Sequence, residues 1–387
     1  MKKLVWICWK DIRHPEAGGA ELVCFEISKR LIRDGWEVVH LVPGFRDCVS
    51  EEVVDGIRII RVGQTIFSFY RLPVYFWRHL RKTTTFLVDG FISLGSFSVL
   101  TMNPRRAALV VFHIEDVKWF SQTSFYGVSR WIMPFINLTG FFVEKLQLVL
   151  LAILFRGPVL TISNSTAREL RHHGFRRNRI RIITMGASCK KLGALPESLP
   201  KEKDFTVLLI GPRNSKQPLH TLKAYQLLQR KHPEARFWVA GWGNEEGKVR
   251  EYAETQGIRN VTFWGRVTDA QRDDLLQRAH VLCTSPIREG WGLVVIEANA
   301  LGTPVIGYDV PGLRDSLAFG NGFLCNTTPE AMADKMVLLA DWVASGKEEY
   351  EAMRQRGLES TTQFSFDQAY QDFVNSVQLN AIKRKQT

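Results

Sequence analysis

Cysteine is scarce and scattered. The 387 residues hold six, at positions 8, 24, 48, 189, 283 and 325, with no Cys-x-x-Cys pair and no histidine at ligand spacing. Neither a zinc ribbon nor a disulfide framework fits that pattern, and a reducing cytoplasmic setting does. Low-complexity tracts and short-period repeats are also missing, which removes solenoids and disordered scaffolds. Long uncharged runs are few. The most apolar stretch, residues 131–155 ("WIMPFINLTGFFVEKLQLVLLAILF"), carries Glu144, Lys145 and Gln147 at its middle and leaves uncharged runs of 13 and 10 residues. It predicts helices partly in a core and partly presented to a membrane, rather than a spanning segment. The opening "MKKLVWICWK" begins like a signal peptide, but its short apolar run stops at Lys10 and Asp11, and it reads as a first strand.

Acidic residues are short in one half only. Residues 1–195 carry 28 Lys/Arg against 15 Asp/Glu, and the remainder 23 against 24, so the net charge of +12 belongs to the first half. Such asymmetry points to an anionic partner. Within that half, "IFSFYRLPVYFWRHLRK" (66–82) interleaves Phe67, Phe69, Tyr70, Tyr75, Phe76 and Trp77 with Arg71, Arg78, Arg81 and Lys82, which suits the surface of an anionic lipid layer. No nucleic-acid recognition motif accompanies it. The expectation is peripheral contact through the basic half with the inner face of a cytoplasmic membrane, and no nucleic acid.

What the chain does have is alternation. Short apolar runs, glycine or polar loops and amphipathic stretches recur, the signature of α/β architecture. "LVWICW", the stretch from Ala20 to Asp34 and "WEVVHLV" form a βαβ unit, with "VVFHI" (110–114) and "GPVLTIS" (157–163) as later strands of the same sheet. The pattern lapses in a Gly/Pro/Lys-rich segment and resumes at "FTVLLIG" with strands and helices through "TPVIGY". This predicts a first doubly wound domain over 1–190, a linker over 191–204, a second over 205–363, and a C-terminal helix and tail over 364–387.

The stretch "TSPIREGWGLVVIEANALGTPVIGYD" (284–309) concentrates the chemistry. A strand ends near Ser285, a loop runs to Gly292, and a helix begins near Leu293, so Glu289 sits on the loop and Glu297 about one turn inside the helix. Helix N-termini present unpaired N–H groups and partial positive charge, and suit phosphate. Gly290 and Gly292 let a ligand approach the backbone closely. With phosphate at the helix start, the two carboxylates can accept hydrogen bonds from sugar hydroxyls on either side of it.

"REGWGLVVIEANALGTPVIGYDVPGLRDSL" resembles the EX7E region of the retaining glycosyltransferases of GT-B fold, family four. "GGAE" (18–21), "VLTISNSTARELRHHGF", "LLIGPRNSK" and "VTFWGRV" are similar to other segments of that family in the same order, while residues 45–105 match least. The resemblance implies two Rossmann-like domains facing across a cleft, with the C-terminal helix crossing back. It implies that Glu297 holds the ribose hydroxyls, that Glu289 contacts the donor sugar beside Trp291, and that Gly290, Gly292, Leu293 and Val294 meet sugar and phosphate. Arg213 and Lys216 would neutralise the diphosphate, Gly18 and Gly19 would close over it, Val267 with Arg266 would lie against the base, and His113 would stand near the transferred sugar. Three positions depart from the family pattern: Arg213 is displaced by one, Gln217 replaces a glycine, and "TMGAS" (184–188) lacks an Asn-Gly.

The implied enzyme is a retaining hexosyltransferase that needs no cofactor or metal. A nucleoside-diphosphate sugar is its co-substrate, and a saccharide or lipid-linked saccharide of polysaccharide or glycolipid assembly is its acceptor. The departing phosphate would accept the acceptor's proton. Two other readings stay open at this point: a nucleotide-sugar epimerase or hydrolase on the same fold, and a non-catalytic nucleotide-sugar-binding subunit.

Overall fold

The computed structural model describes residues 2–63, 68–91, 96–115, 131–189, 191–195 and 201–379. Ile66 and Phe67 of the aromatic stretch, residues 196–200 of the expected linker and the tail from 380 lie outside them. The chain divides into two compact units, residues 1–186 with 365–387, and residues 187–364. Residues 191–195 and 201–204, expected as linker, fall within the second unit, where Leu192 N donates to Ala300 O and Glu202 N to Arg278 O.

The first unit is built on an eight-stranded sheet of order β3-β4-β2-β1-β5-β6-β7-β8. Its elements are β1 (Lys2–Ile7), α1 (Gly19–Arg33), β2 (Trp36–Val42), β3 (Glu51–Val54), β4 (Ile57–Arg61), α2 (Ser68–Tyr75), β5 (Phe86–Gly90), β6 (Ala107–Val110), α3 (Met133–Leu154), β7 (Val159–Thr161), α4 (Asn164–His172) and β8 (Ile180–Ile182). The central strands are apolar on both faces, as a sheet covered by helices requires. β3 alone runs antiparallel, turned back by Asp55 and Gly56, both at positive φ, the signature of a two-residue hairpin. On one face Val5, Ile7, Leu87 and Leu109 meet Leu72 of α2 and Phe76 of the π-helical turn (Phe76–Leu80) that follows it, Leu148 and Leu151 of α3, and Leu170 of α4. The other face carries α1 and the C-terminal helix α12 (Phe366–Ser376). Trp6 stacks on Phe373 at 5.4 Å, and Arg30 Nε pairs with Asp367 at 2.6 Å. The C-terminal helix thus returns to the first unit.

The second unit holds β9 (Thr206–Ile210), α5 (Pro218–Gln229), β10 (Arg236–Ala240), α6 (Glu246–Thr255), β11 (Val261–Gly265), α7 (Asp269–Arg278), β12 (Val281–Thr284), α8 (Leu293–Ala300), β13 (Val305–Tyr308), α9 (Pro311–Ser316), β14 (Gly322–Cys325), α10 (Pro329–Ala344) and α11 (Glu348–Ser360). Its six strands are parallel in the order β11-β10-β9-β12-β13-β14. Helices α5, α6 and α10 pack together in one layer, and α7, α8 and α11 in another. The chain reverses its winding between β9 and β12, and the crevice outside the carboxyl ends of such strands is where doubly wound sheets bind ligands.

One buried carboxyl marks the first unit's core. Asp89 on β5 is fully enclosed, and burial pushes its carboxyl up to about 8 despite hydrogen bonds from the Val99 and Ser98 backbone. A raised folded value means that its contribution to stability is full below the ordinary value near 4 and is lost as pH rises through about 8. His40, pushed down to about 4 by burial, acts in the opposite sense in acid and is common to wild type and variant. Asp89→Asn should therefore lower the thermal midpoint less than wild type between about pH 5 and pH 8; equal falls in both proteins would refute the assignment.

Candidate active site

Three loops meet at the carboxyl end of the second sheet. The β9 loop begins at Gly211, at φ +73°. It is held by Glu245 N donating to Pro212 O and by Asn214 N donating to Asn244 Oδ1 at 3.1 Å, both from the neighbouring β10 loop. The β12 loop closes on it from the other side. Ile287 N donates to Ser215 O at 3.0 Å, and Ser285 Oγ donates to the carbonyls of Lys216 and Gln217. These bonds satisfy loop backbone that would otherwise be buried unpaired.

Lys216 and Glu289, 73 residues apart, come together in this way, with Nζ 2.7 Å from Oε2. Both side chains are partly exposed, so the pair is open to a ligand. Beyond it the chain turns at Gly292, at φ +88°, where a Cβ would stand 2.9 Å from Leu313 Cδ2. Only glycine meets both demands. Gly290 is backed by Gly312, whose Cβ would collide with the Gly290 carbonyl, while Gly312 N donates to Glu289 O at 3.1 Å. Helix α8 starts here, and the N–H groups of Leu293 and Val294 have no acceptor inside it.

Glu297 lies in the second turn of α8, buried. Ser188 Oγ donates to its Oε1, and Arg272 Nη1 stands 3.6 Å from that oxygen and 3.3 Å from Ser188 Oγ. Arg272 is itself oriented by Asp273 at 2.7 Å and Asp269 at 3.1 Å. Each glutamate is thus tied to its own cation, Glu289 to Lys216 and Glu297 to Arg272. The Glu297 charge adds to burial in pushing the neighbouring Cys189 thiol up to about 12, which keeps it neutral and excludes it as a nucleophile at ordinary pH.

The other positions fall as follows. Arg213 leads into the short turn that carries Lys216, and its Nε is buried without a partner among the described residues. Trp291 is buried edge-on to Phe364 at 5.5 Å, with its indole N–H likewise unmatched. Orphaned donors of this kind are what a bound acceptor would satisfy. Arg266 and Val267 follow β11 at the sheet edge, Arg266 exposed and Val267 packed on the core. Gly18, Gly19 and His113 belong to the first unit. Gly18 caps α1 in extended conformation, its N–H donating to Glu21 Oε2 at 2.8 Å. The loop before it is anchored by Asp11, buried in a two-bond pair with Arg61 at 2.8 and 3.0 Å. His113 does not end a strand. β6 stops at Val110, and His113 lies three residues on, its Nε2 2.8 Å from Glu115 Oε1.

Ser188 and Arg272 escape the sequence reading. Ser188 stands in the segment that departs from the family pattern, which was a signal. Arg272 gave none, being one of several charges on a polar helix.

Residues 194–360 match the family described as Glycosyl transferases group 1. The chain is 27% identical over 321 residues to an uncharacterized glycosyltransferase of Haemophilus influenzae, covering 80% of this chain and 82% of that one. It is 24% identical over 333 residues to the phosphatidylinositol N-acetylglucosaminyltransferase gpi3 subunit of Schizosaccharomyces pombe, covering 79% and 66%. Sucrose-phosphate synthase from Thermosynechococcus elongatus superposes with a TM-score of 0.72 at 16% identity, covering 100% of this chain and 99% of that one. The fold is GT-B, and the matches support a glycosyltransferase.

Gln217 sits in the left-handed region, at φ +45° and ψ +56°, immediately before Pro218 of α5. A non-glycine residue there costs about 1–2 kcal/mol. Gln217→Gly should raise the unfolding midpoint of the second unit by about 2–4 °C if about 1 kcal/mol of that is recovered. Differential scanning calorimetry reads it, and a lowered midpoint would show that the side chain does more than tolerate the turn.

Proposed function

We propose that this GT-B protein is a family-four retaining glycosyltransferase. Its second unit binds a nucleoside-diphosphate sugar at the crevice between β9 and β12. It moves a hexose-type sugar to a saccharide or lipid-linked saccharide in polysaccharide or glycolipid assembly. The observation that carries the reading is the Lys216–Glu289 pair, joined at 2.7 Å across the two loops of the switch point. Before substrate binds, the carboxylate holds the ammonium in place. A diphosphate arriving at the start of α8 draws Lys216 by its greater charge, and Glu289 turns its oxygens to a donor-sugar hydroxyl. Glu297, fixed by Ser188 and Arg272, is a pre-set acceptor for ribose hydroxyls.

In the transfer, the bond between anomeric carbon and phosphate oxygen breaks while the acceptor oxygen bonds to the same face of that carbon. The departing phosphate takes the acceptor's proton. The protein's contribution is to stabilise charge growing on the leaving diphosphate. Lys216, the forked donors of Arg213 and the N-terminus of α8 supply the positive charge for that task, so we propose turnover without metal. The name of the Schizosaccharomyces pombe relative includes a lipid, phosphatidylinositol, which supports a lipid-linked acceptor here.

Thermal shift against UDP, GDP, ADP, dTDP and their sugars, with and without magnesium, should show one nucleotide raising the midpoint in the absence of metal. No shift with any of them would sink the donor-site reading. Lys216→Ala should lower turnover by about two orders of magnitude, the usual cost of removing one transition-state donor; near-normal rates would take it out of the site. Glu297→Gln should weaken donor binding in calorimetry, and unchanged affinity would remove its ribose role.

A further inference from the structure

Helix α3 is built inside out. The side chains it turns toward the first unit include Asn137, Glu144 and Gln147, and Glu144 is only 1% exposed, its Oε1 accepting the Glu115 N–H at 2.8 Å. The stripe it turns to solvent is Phe135, Leu138, Phe142, Leu146, Val149 and Ile153, at helical spacing and without a charge. Phe135, Phe142, Leu146 and Ile153 are 68, 61, 59 and 62% exposed, and Trp131 just ahead of the helix is 93% exposed. Soluble proteins seldom show a contiguous apolar surface of this kind unless something covers it. The helix is long and apolar enough to cross a bilayer, but Leu148 and Leu151 are packed into the unit's own core. One face is therefore committed to protein.

A second stripe lies on the same face of the sheet. Tyr70, Val74 and Trp77 recur at positions i, i+4 and i+7 along α2 and the turn that follows, all exposed. Leu72 and Phe76 of the same segment enter the core cluster that receives Leu148 and Leu151. Both helices thus cover one face of the sheet and direct their outer stripes away from it.

Basic residues frame this surface. Arg71, Arg78, Arg81 and Lys82 are exposed around the α2 stripe. At the carboxyl end of α3, burial and then the charges of nearby Arg176 and Arg156 depress Arg179, whose guanidinium donates to the Phe155 carbonyl. Exposed Arg105 and Arg106 follow Pro104, which approaches Gly157 at the same end. An apolar stripe bordered by arginines and tryptophans matches an anionic bilayer in charge and in profile, with acyl chains under the stripe and lipid phosphates at its margins. A second copy fits less well, because pairing the two faces would bring the arginine clusters together.

We propose that the outer faces of α3 and α2 form a docking surface that lies flat in the headgroup region of an anionic membrane, with α3 parallel to the bilayer plane. The surface is separate from the sugar chemistry proposed above, and its test reads binding alone.

The full chain should co-sediment with vesicles of phosphatidylcholine and phosphatidylglycerol, but weakly with phosphatidylcholine alone. Phe142→Glu with Leu146→Glu should reduce that binding at least tenfold, as should Arg156→Glu with Arg176→Glu. The altered side chains are exposed, so circular dichroism and thermal midpoints should stay as in wild type. Donor affinity in calorimetry should also be unchanged, so failure of either reading leaves the other standing. Undiminished binding by the folded Phe142/Leu146 variant would overturn the proposal. So would absence of vesicle binding, and self-association in sedimentation velocity that the same substitutions abolish would then assign the face to a second copy.

Discussion

The pairing of β9 with β12 is the constraint on which the rest of the site depends. Val207 faces Val281 and Leu208 faces Leu282 in parallel register, so both strands release their chains at the same edge of the sheet. Only there can a lysine that follows β9 reach a glutamate that follows β12. The crossover behind α7 leaves no closer neighbour between them, and the gap takes the loops. Hydrogen bonds from Ser285 and Ile287 then lock one loop to the other. An antiparallel pairing would have sent the loops to opposite edges.

Placing two carboxylates in this crevice carries an electrostatic cost that the neighbouring cations offset. Glu297 is buried, and an unpaired buried carboxylate would be strongly disfavoured. Ser188 and Arg272 supply the donors it needs, and Asp269 and Asp273 hold Arg272 in turn. Glu289 is more open, its carboxylate held by Lys216 and by the Gly290 N–H. That difference suits a fixed acceptor beside a movable one. A ligand with charged phosphates can compete for the lysine, while the arginine cluster stays in place.

The first unit treats polarity in an unusual way. Its sheet faces are apolar, yet α3 turns a glutamate, a glutamine and an asparagine inward and leaves phenylalanines and leucines outside. Of the inward polar groups, the Glu144 carboxylate is met by the Glu115 N–H. The outward apolar stripe has no such compensation in water, and it sits on the half of the chain that holds all the excess positive charge. Composition averaged over the chain hides both features, since apolar and charged contents are those of an ordinary soluble protein.

Local pattern determined a good deal by itself. Apolar runs bounded by glycine mark the strands of the second sheet. Helix α8 starts one residue past a glycine that the turn requires, and the placement of Glu289 on a loop and Glu297 within a helix follows from that alone. The αβ alternation similarly reads as two doubly wound sheets. Partners were decided only by tertiary structure. Periodicity says which face of a helix a residue shares, but not what another segment brings opposite it, so Ser188 and Arg272 beside Glu297 were not legible 109 and 25 positions away in the chain. The run over 110–114 that holds His113 reads as a strand, whereas the strand stops at Val110, because an apolar run gives no sign of where its neighbour's hydrogen bonds stop. The apolar stretch over 131–155 was similarly open. With hydrophobic side chains on nearly every side of it, only the sheet beneath could select the polar stripe as the one to bury.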